Sequence, residues 1–170
     1  MSNSWEIRVH GLVQGVGFRP LVWHLAKEAE LRGEVLNNAG GVIIRLICTK
    51  VQLDLFQKEL VLKAPPLARI DAVTASPIVP SASWTEFSIV ASEPGSISTG
   101  IVPDAATCSD CLDDISDSTN RRYGYAFTNC TNCGPRFSIT RAIPYDRVNT
   151  TMASFKMCYA CQCEYDDPAD

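Results

Sequence analysis

The chain has no run of apolar residues near the ~18 that a membrane-spanning helix needs, so no membrane partner is expected. It has no basic N-terminal patch and no apolar stretch after its first residues, Met1-Ser2-Asn3-Ser4-Trp5-Glu6. It therefore reads as lacking a secretory signal and as cytoplasmic. It has no surplus of positive charge: 15 Lys and Arg face 19 Asp and Glu. Nucleic-acid contacts need clustered cations, so a net charge of −4 argues against that class of partner. Nor is it poor in apolar residues, at 46%, which excludes a disordered or collagen-like chain. Across its first 91 residues it is nearly without cysteine; Cys48 is the only one.

The other seven cysteines fall between Cys108 and Cys163. Charge divides at the same place. Residues 1–91 are nearly neutral, whereas residues 92–170 hold most of the acidic excess. Between them runs a small, polar stretch, Ser92-Glu93-Pro94-Gly95-Ser96-Ile97-Ser98-Thr99-Gly100, which reads as a linker or extended connection. The expected organisation is a compact domain over 1–91, a linker over 92–107, a first cysteine finger and connector over 108–150, and half of a second finger over 151–170.

The first part alternates between strand and helix signals. Glu6–His10 alternates polar and apolar residues, the pattern of a half-buried strand. A loop with Gly11, Gly15 and Gly17 follows, then a helix opened by Pro20, with Leu21, Val22, Leu25, Ala26 and Ala29 at helical spacing and Gly33 as its stop. Glu34–Asn37 and Val42–Cys48 read as strands joined by the hairpin turn Asn38-Ala39-Gly40-Gly41. Thr49-Lys50-Val51-Gln52 is a capping box. It opens a second helix with Leu53, Phe56, Leu60 and also Leu55 on its apolar side, ended by Pro65-Pro66. Ile70–Ala75 and Glu86–Val90 close the series. The order β-α-β-β-α-β, with room for one further strand, predicts an α+β, ferredoxin-like sandwich, each helix covering a face of an antiparallel sheet. Cys48 ends the inward series Val42, Ile44, Leu46 and reads as a buried small hydrophobe.

Glycines between a strand and a helix N-terminus let backbone N–H groups converge where the helix adds positive potential, a recipe for an anion site. The spacing fits neither a dinucleotide nor a Walker pattern, and a tight packing turn is the competing reading. Arg19 at the loop's end can reach a phosphoryl group with two donors. Gly11-x-Val13-Gln14-Gly15-Val16-Gly17-Phe18-Arg19, followed by Gly33-x-Val35-x-Asn37, resembles the acylphosphatase family over about residues 5–91. The resemblance implies hydrolysis of a carboxylic–phosphoric anhydride. It assigns phosphoryl binding to Arg19, the cradle to the backbone amides of Gln14, Gly15, Val16, Gly17, Phe18 and Arg19, and orientation of the attacking water to Asn37. Such catalysis is mostly positioning and electrostatics, so it needs no cofactor, and His10 and His24 are expected to be structural or exposed.

Cys108-x2-Cys111 and Cys130-x2-Cys133 are paired knuckles with the spacing of a four-thiolate zinc site. Disulfides and redox pairs are the rivals. Shifting the chain by 50 places Cys108 on Cys158, Cys111 on Cys161, Asp114 on Glu164, Asp117 on Asp167 and Asn120 on Asp170. That internal repeat makes Cys158 and Cys161 half of a second zinc site, with Cys163 as an extra cysteine, and half a site is expected to be poorly ordered. On the repeat, the partner pair would lie beyond residue 170, so the chain reads as a piece of something longer.

Taken together, Val13–Pro20, Pro65–Asp71, Ile101–Cys108, Asn129–Phe137, Pro144–Arg147 and the segment from Met157 onward resemble the N-terminal portion of the HypF family of carbamoyltransferases, which serve nickel–iron hydrogenase maturation. The resemblance implies carbamoyl phosphate as substrate, structural Zn²⁺, and downstream YrdC-like and transferase domains. It also implies passage of the carbamoyl group to the partner HypE on the way to cyanide ligands. The alternative is a zinc-dependent docking module on a non-catalytic scaffold. Phe127, Phe137, Ile139, Ile143 and Tyr145 are the apolar residues expected to seek a further surface.

Overall fold

The computed structural model describes residues 3–95 and 98–169. Ser96, Ile97 and the Asn120/Asp170 pairing of the repeat lie outside the described residues. The first half runs β1 (Asn3–Leu12), α1 (Phe18–Glu28), β2 (Arg32–Asn38), β3 (Gly41–Cys48), α2 (Lys50–Leu62), β4 (Arg69–Ile78) and β5 (Phe87–Ile89). The sheet order is β4-β1-β3-β2-β5. The pairs among β1–β4 are antiparallel, and β5 joins β2 in parallel as the one strand beyond the six-element pattern. The α+β sandwich expected from the sequence is thus present.

Both helices lie on the same side of this sheet, not one on each side. The pleat explains why. Val42, Ile44, Leu46 and Cys48 point one way from β3, opposite Ile7 and Val9 of β1 and Val35 of β2. They share one buried cluster with Val22, Leu25 and Ala26 of α1 and Leu53, Phe56 and Leu60 of α2. The other side carries charge: Glu6, Arg45 and Glu34 sit in register across three strands. Arg45 bonds both carboxylates at 2.9 Å. Burial works against the Glu6 carboxylate, but hydrogen bonds from Arg45 and Arg8 outweigh it and hold Glu6 below the usual carboxylate range.

The local signals mostly hold. The capping box forms, with Thr49 accepting from the Gln52 amide and the Gln52 side chain returning to Thr49. Leu53, Phe56 and Leu60 are buried, whereas Leu55 is exposed. Burial pushes the Cys48 thiol up to about 11, as suits a core residue. Gly33 does not stop α1. The helix ends at Glu28, five residues earlier, and the turn is made by Glu30 in the left-handed region at φ 53°.

The described residues of the stretch 92–107 lie closely along the first half. The Glu93 amide donates to Asn37, and those of Ser98 and Thr99 donate to Ala39. The Thr99 hydroxyl donates to the Gly11 carbonyl at 2.7 Å. Val102 enters the core of the first half, and Ala105 pairs with Gly134 of the second. Short helices then mark the repeat: α3 (Ser109–Ser116) and α4 (Tyr159–Asp166) lie 50 residues apart, each opened by a cysteine, Cys108 or Cys158, with matching extended φ/ψ. The half site is expected to be poorly ordered; the second copy's helix is nonetheless formed. Its Glu164 is held by Arg121 and Arg122, and Arg122 also faces Asp114, the repeat-equivalent of Glu164. Among the described residues no helix is long and apolar enough to cross a membrane.

Candidate functional site

The site begins where β1 ends. In the following loop Val13 and Val16, with Phe18 at the start of α1, turn their side chains into the core, which leaves backbone on the outer side at the glycines. Gly15 and Gly17 adopt φ of 74° and 77°, a conformation that costs glycine little. They also admit close neighbours: a Cβ on Gly15 would meet the Tyr145 ring at 3.0 Å, and one on Gly17 would meet Thr131 at 3.0 Å. Gly17 is the N-cap of α1 and makes no side-chain cap. The first amides of α1 therefore lack helical partners, with the positive end of the helix behind them.

Sheet register brings Asn37 to the same place. β1 and β2 both flank β3, and Val9 and Asn37 both pair with Val42. Asn37 is therefore level with the last residues of β1 and on the helix-covered side, where it is buried to 1% exposure. Its amide can face two ways. One places nitrogen 3.3 Å from the Tyr145 carbonyl. The other turns oxygen toward Arg19, accepting from Nε and Nη2 at 3.2 and 3.3 Å. We adopt the second, which satisfies two guanidinium N–H groups. Arg19 and Asn37, eighteen residues apart in sequence, thus meet at the glycine loop.

Several contributors were not legible in the sequence. Gln14 is present in the loop, but its side chain serves as a brace. Nε2 donates to the carbonyls of Asn38 and Gly41 at 2.6 and 2.8 Å, and Oε1 accepts from the Tyr145 amide at 2.8 Å. The connector after the first finger reaches into the site: Tyr145 lies against Gly15, and the Asp146 carboxylate pairs with Arg19 at 2.8 Å. Arg136 follows the second knuckle and is 4% exposed. Its guanidinium donates to the carbonyls of Gly15, Pro135 and Cys130. The motifs around Arg136 and Asp146 were visible, but nothing in a linear pattern links them to a loop more than 100 residues earlier. His10 bonds the Gly40 carbonyl at 3.0 Å and His24 stacks edge-on with Trp23; neither reaches Arg19.

The four cysteines Cys108, Cys111, Cys130 and Cys133 gather their sulfurs within 4.8 Å of one another. Two of the separations, Cys108–Cys130 and Cys111–Cys133, are 3.6 Å. Tetrahedral coordination at a Zn–S distance of ~2.3 Å would set sulfurs about 3.8 Å apart, so the donor set and spacing fit a metal of that kind. Burial and hydrogen bonds with the other three sulfurs push the Cys111 thiol up. A bound dication reverses that tendency, since a coordinating thiol is deprotonated outright. Cys158 and Cys161 join no such cluster among the described residues; Cys161 instead accepts from Arg121 at 3.3 Å.

Comparison with known proteins follows the same division. The acylphosphatase family matches residues 5–89, half of the chain. The acylphosphatase of Mannheimia succiniciproducens is 38% identical over 82 residues, covering 48% of this chain and 90% of that protein. The chain belongs to the acylphosphatase family. The HypF finger family matches residues 107–140, so an acylphosphatase-like domain is followed by a HypF finger. Carbamoyltransferase HypF of Rhodobacter capsulatus is 55% identical over 168 residues, 99% of this chain and 22% of that protein. A crystal structure of full-length HypF in a phosphate- and nucleotide-bound form superposes with a TM-score of 0.93 at 41% identity, over 100% of this chain and 22% of that one. This acylphosphatase-family chain thus spans about a fifth of the length of those HypF relatives.

Cys111→Ser removes one buried donor from the four-sulfur cluster. Structural zinc sites contribute about 10–16 kcal/mol in small fingers. The variant is expected to lose its tightly bound metal, measured by elemental analysis, while the sheet signal of residues 5–89 persists in circular dichroism.

Proposed function

We propose that this chain hydrolyses an acyl phosphate, with carbamoyl phosphate as its substrate, in the first step of carbamoyl transfer toward the cyanide ligands of nickel–iron hydrogenase. The observation that carries this reading is the meeting of Arg19 and Asn37 at the glycine loop. In it, the amides from Gln14 to Arg19 cradle the phosphoryl oxygens and the Arg19 guanidinium neutralises them. Asn37 holds the water in line with the scissile bond. That water's oxygen bonds to phosphorus as the bond to the acyl oxygen breaks, giving carbamate and phosphate. The transition state is loose and rich in charge, so fixed donors supply the catalysis.

The ion pair between Arg19 and Asp146 bears on how substrate enters. A phosphoryl dianion arriving at Arg19 must displace that carboxylate. Both partners are about one-quarter exposed, so the pair costs binding only modestly. The four-cysteine cluster holds structural Zn²⁺ in this reading. The exposed Phe127, Phe137 and Tyr159 offer a surface to the further domains that the HypF relatives' greater length supports. Transfer to HypE would proceed through those domains, in the cytoplasm.

Arg19→Ala is expected to lower phosphate release from carbamoyl phosphate by about 10²–10³-fold, and Asn37→Ala by about 10²-fold through misplacement of the water. Unchanged circular dichroism should accompany both losses. Full activity in both variants would contradict the assignment. Asp146→Asn is expected to tighten inorganic phosphate up to about fivefold as a competitive inhibitor, from a pair worth up to ~1 kcal/mol. Inhibition assays in the same substrate check it.

A further inference from the structure

The finger's arginine touches the loop in a way that the hydrolytic reading does not use. Arg136 is buried to 4% exposure. Its side chain donates to three backbone carbonyls: Gly15 in the glycine loop, Cys130 in the second knuckle at 2.6 Å, and Pro135 at 3.0 Å. None of these partners is a carboxylate. Its own amide donates to the Asp104 carboxylate at 2.6 Å, which also accepts from the Ser138 amide at 3.1 Å. The residue is therefore fixed at both its backbone and its head group, and Thr131, between the knuckle cysteines, packs on Gly17.

A trans peptide unit is planar, with its C=O and N–H pointing in opposite directions. The Gly15–Val16 bond is trans; among the described residues the only cis bond is Ile143–Pro144. Holding the Gly15 carbonyl toward the finger therefore turns the Val16 N–H to the opposite side of the loop. Gly15 has no side chain to fix its rotation, and at φ 74° it could turn freely without an external hold. The Val16 side chain is fully buried, but a buried side chain alone does not set the preceding peptide plane.

We infer that Arg136 is a positioning residue for the hydrolase loop: it fixes the Gly15–Val16 peptide plane so that the Val16 N–H faces the phosphoryl cradle. The cysteine finger then serves as a brace for the loop, because the same guanidinium holds the Cys130 carbonyl. The cradle part of this inference rests on the proposed hydrolytic reading; the positioning part does not.

The test uses the whole chain with two variants, Arg136→Met and Arg136→Lys. Lysine keeps the charge but replaces a rigid planar fork by a single head. Two readouts separate the claims. Hydrogen–deuterium exchange of the peptide spanning residues 13–19 reads loop order without any substrate. Competitive inhibition by inorganic phosphate reads the cradle. In Arg136→Met, exchange in 13–19 should rise tenfold or more while β1 and β3 keep wild-type rates, and phosphate inhibition should weaken tenfold or more. Arg136→Lys should fall between, with metal content unchanged. If the methionine variant does not fold, the lysine variant decides: a rise of threefold or more in 13–19 exchange supports the positioning role, and a smaller change overturns it. Unaltered exchange in a folded Arg136→Met would also overturn it. A loosened loop in a chain that does not bind phosphate even as wild type would keep the positioning role and remove the hydrolytic reading.

Discussion

A guanidinium buried without a carboxylate has to find its acceptors in the backbone, and Arg136 finds them in both halves of the chain. An unpaired charge taken out of water is expensive unless hydrogen bonds replace its hydration. The Gly15 loop and the Cys130 knuckle are thus obliged to arrive together. Much else in the second half serves that meeting. Asp104 holds the amide of Arg136. Ala105 pairs with Gly134 just before it in sequence. The connector that follows sends Tyr145 onto Gly15 and Asp146 onto Arg19. Two segments with unrelated compositions are in this way joined at the point where the chemistry is proposed.

Within the first half, the governing constraint is the strand order. Because β1 and β2 both pair with β3, they run in the same direction and end at the same edge. The loop after β1 and the last residues of β2 are consequently neighbours, although helix α1 lies between them in sequence. The pleat then decides which side Asn37 faces. It shares the side of Val35 and Val42, which is the side that α1 covers. Arg19, in the first turn of α1, reaches it from there.

How much of this was legible follows from the range of each signal. The alternation in β1, the inward series Val42, Ile44, Leu46 and Cys48, and the capping box of Thr49 with Gln52 are local, and each formed as read. The 50-residue repeat was legible because it compares the chain with itself, and α3 and α4 recur at that offset. The four-cysteine cluster was legible because metal-ligand spacing is a short-range code. The resemblance supplied what spacing could not, namely the pairing of Arg19 with Asn37. Illegible were the contacts set by docking one half on the other. Arg136 reaches Gly15 across 121 positions, and Tyr145 reaches Gln14 across 131. No period connects such pairs. The placement of both helices on one side was also missed, because alternation in a strand says which residues share a face but not which helix covers it.

In the proposed site the amides of the glycine loop form one anion cradle with Arg19. A titration of the ¹⁵N-labelled chain with inorganic phosphate, followed through backbone amide resonances, tests it without relying on turnover. The amides from Gln14 to Arg19 are expected to shift together along one saturating curve, with the side chain of Arg19 following the same curve. Shifts that stay linear in phosphate, or that saturate at some other part of the chain while these six amides remain unmoved, would contradict it.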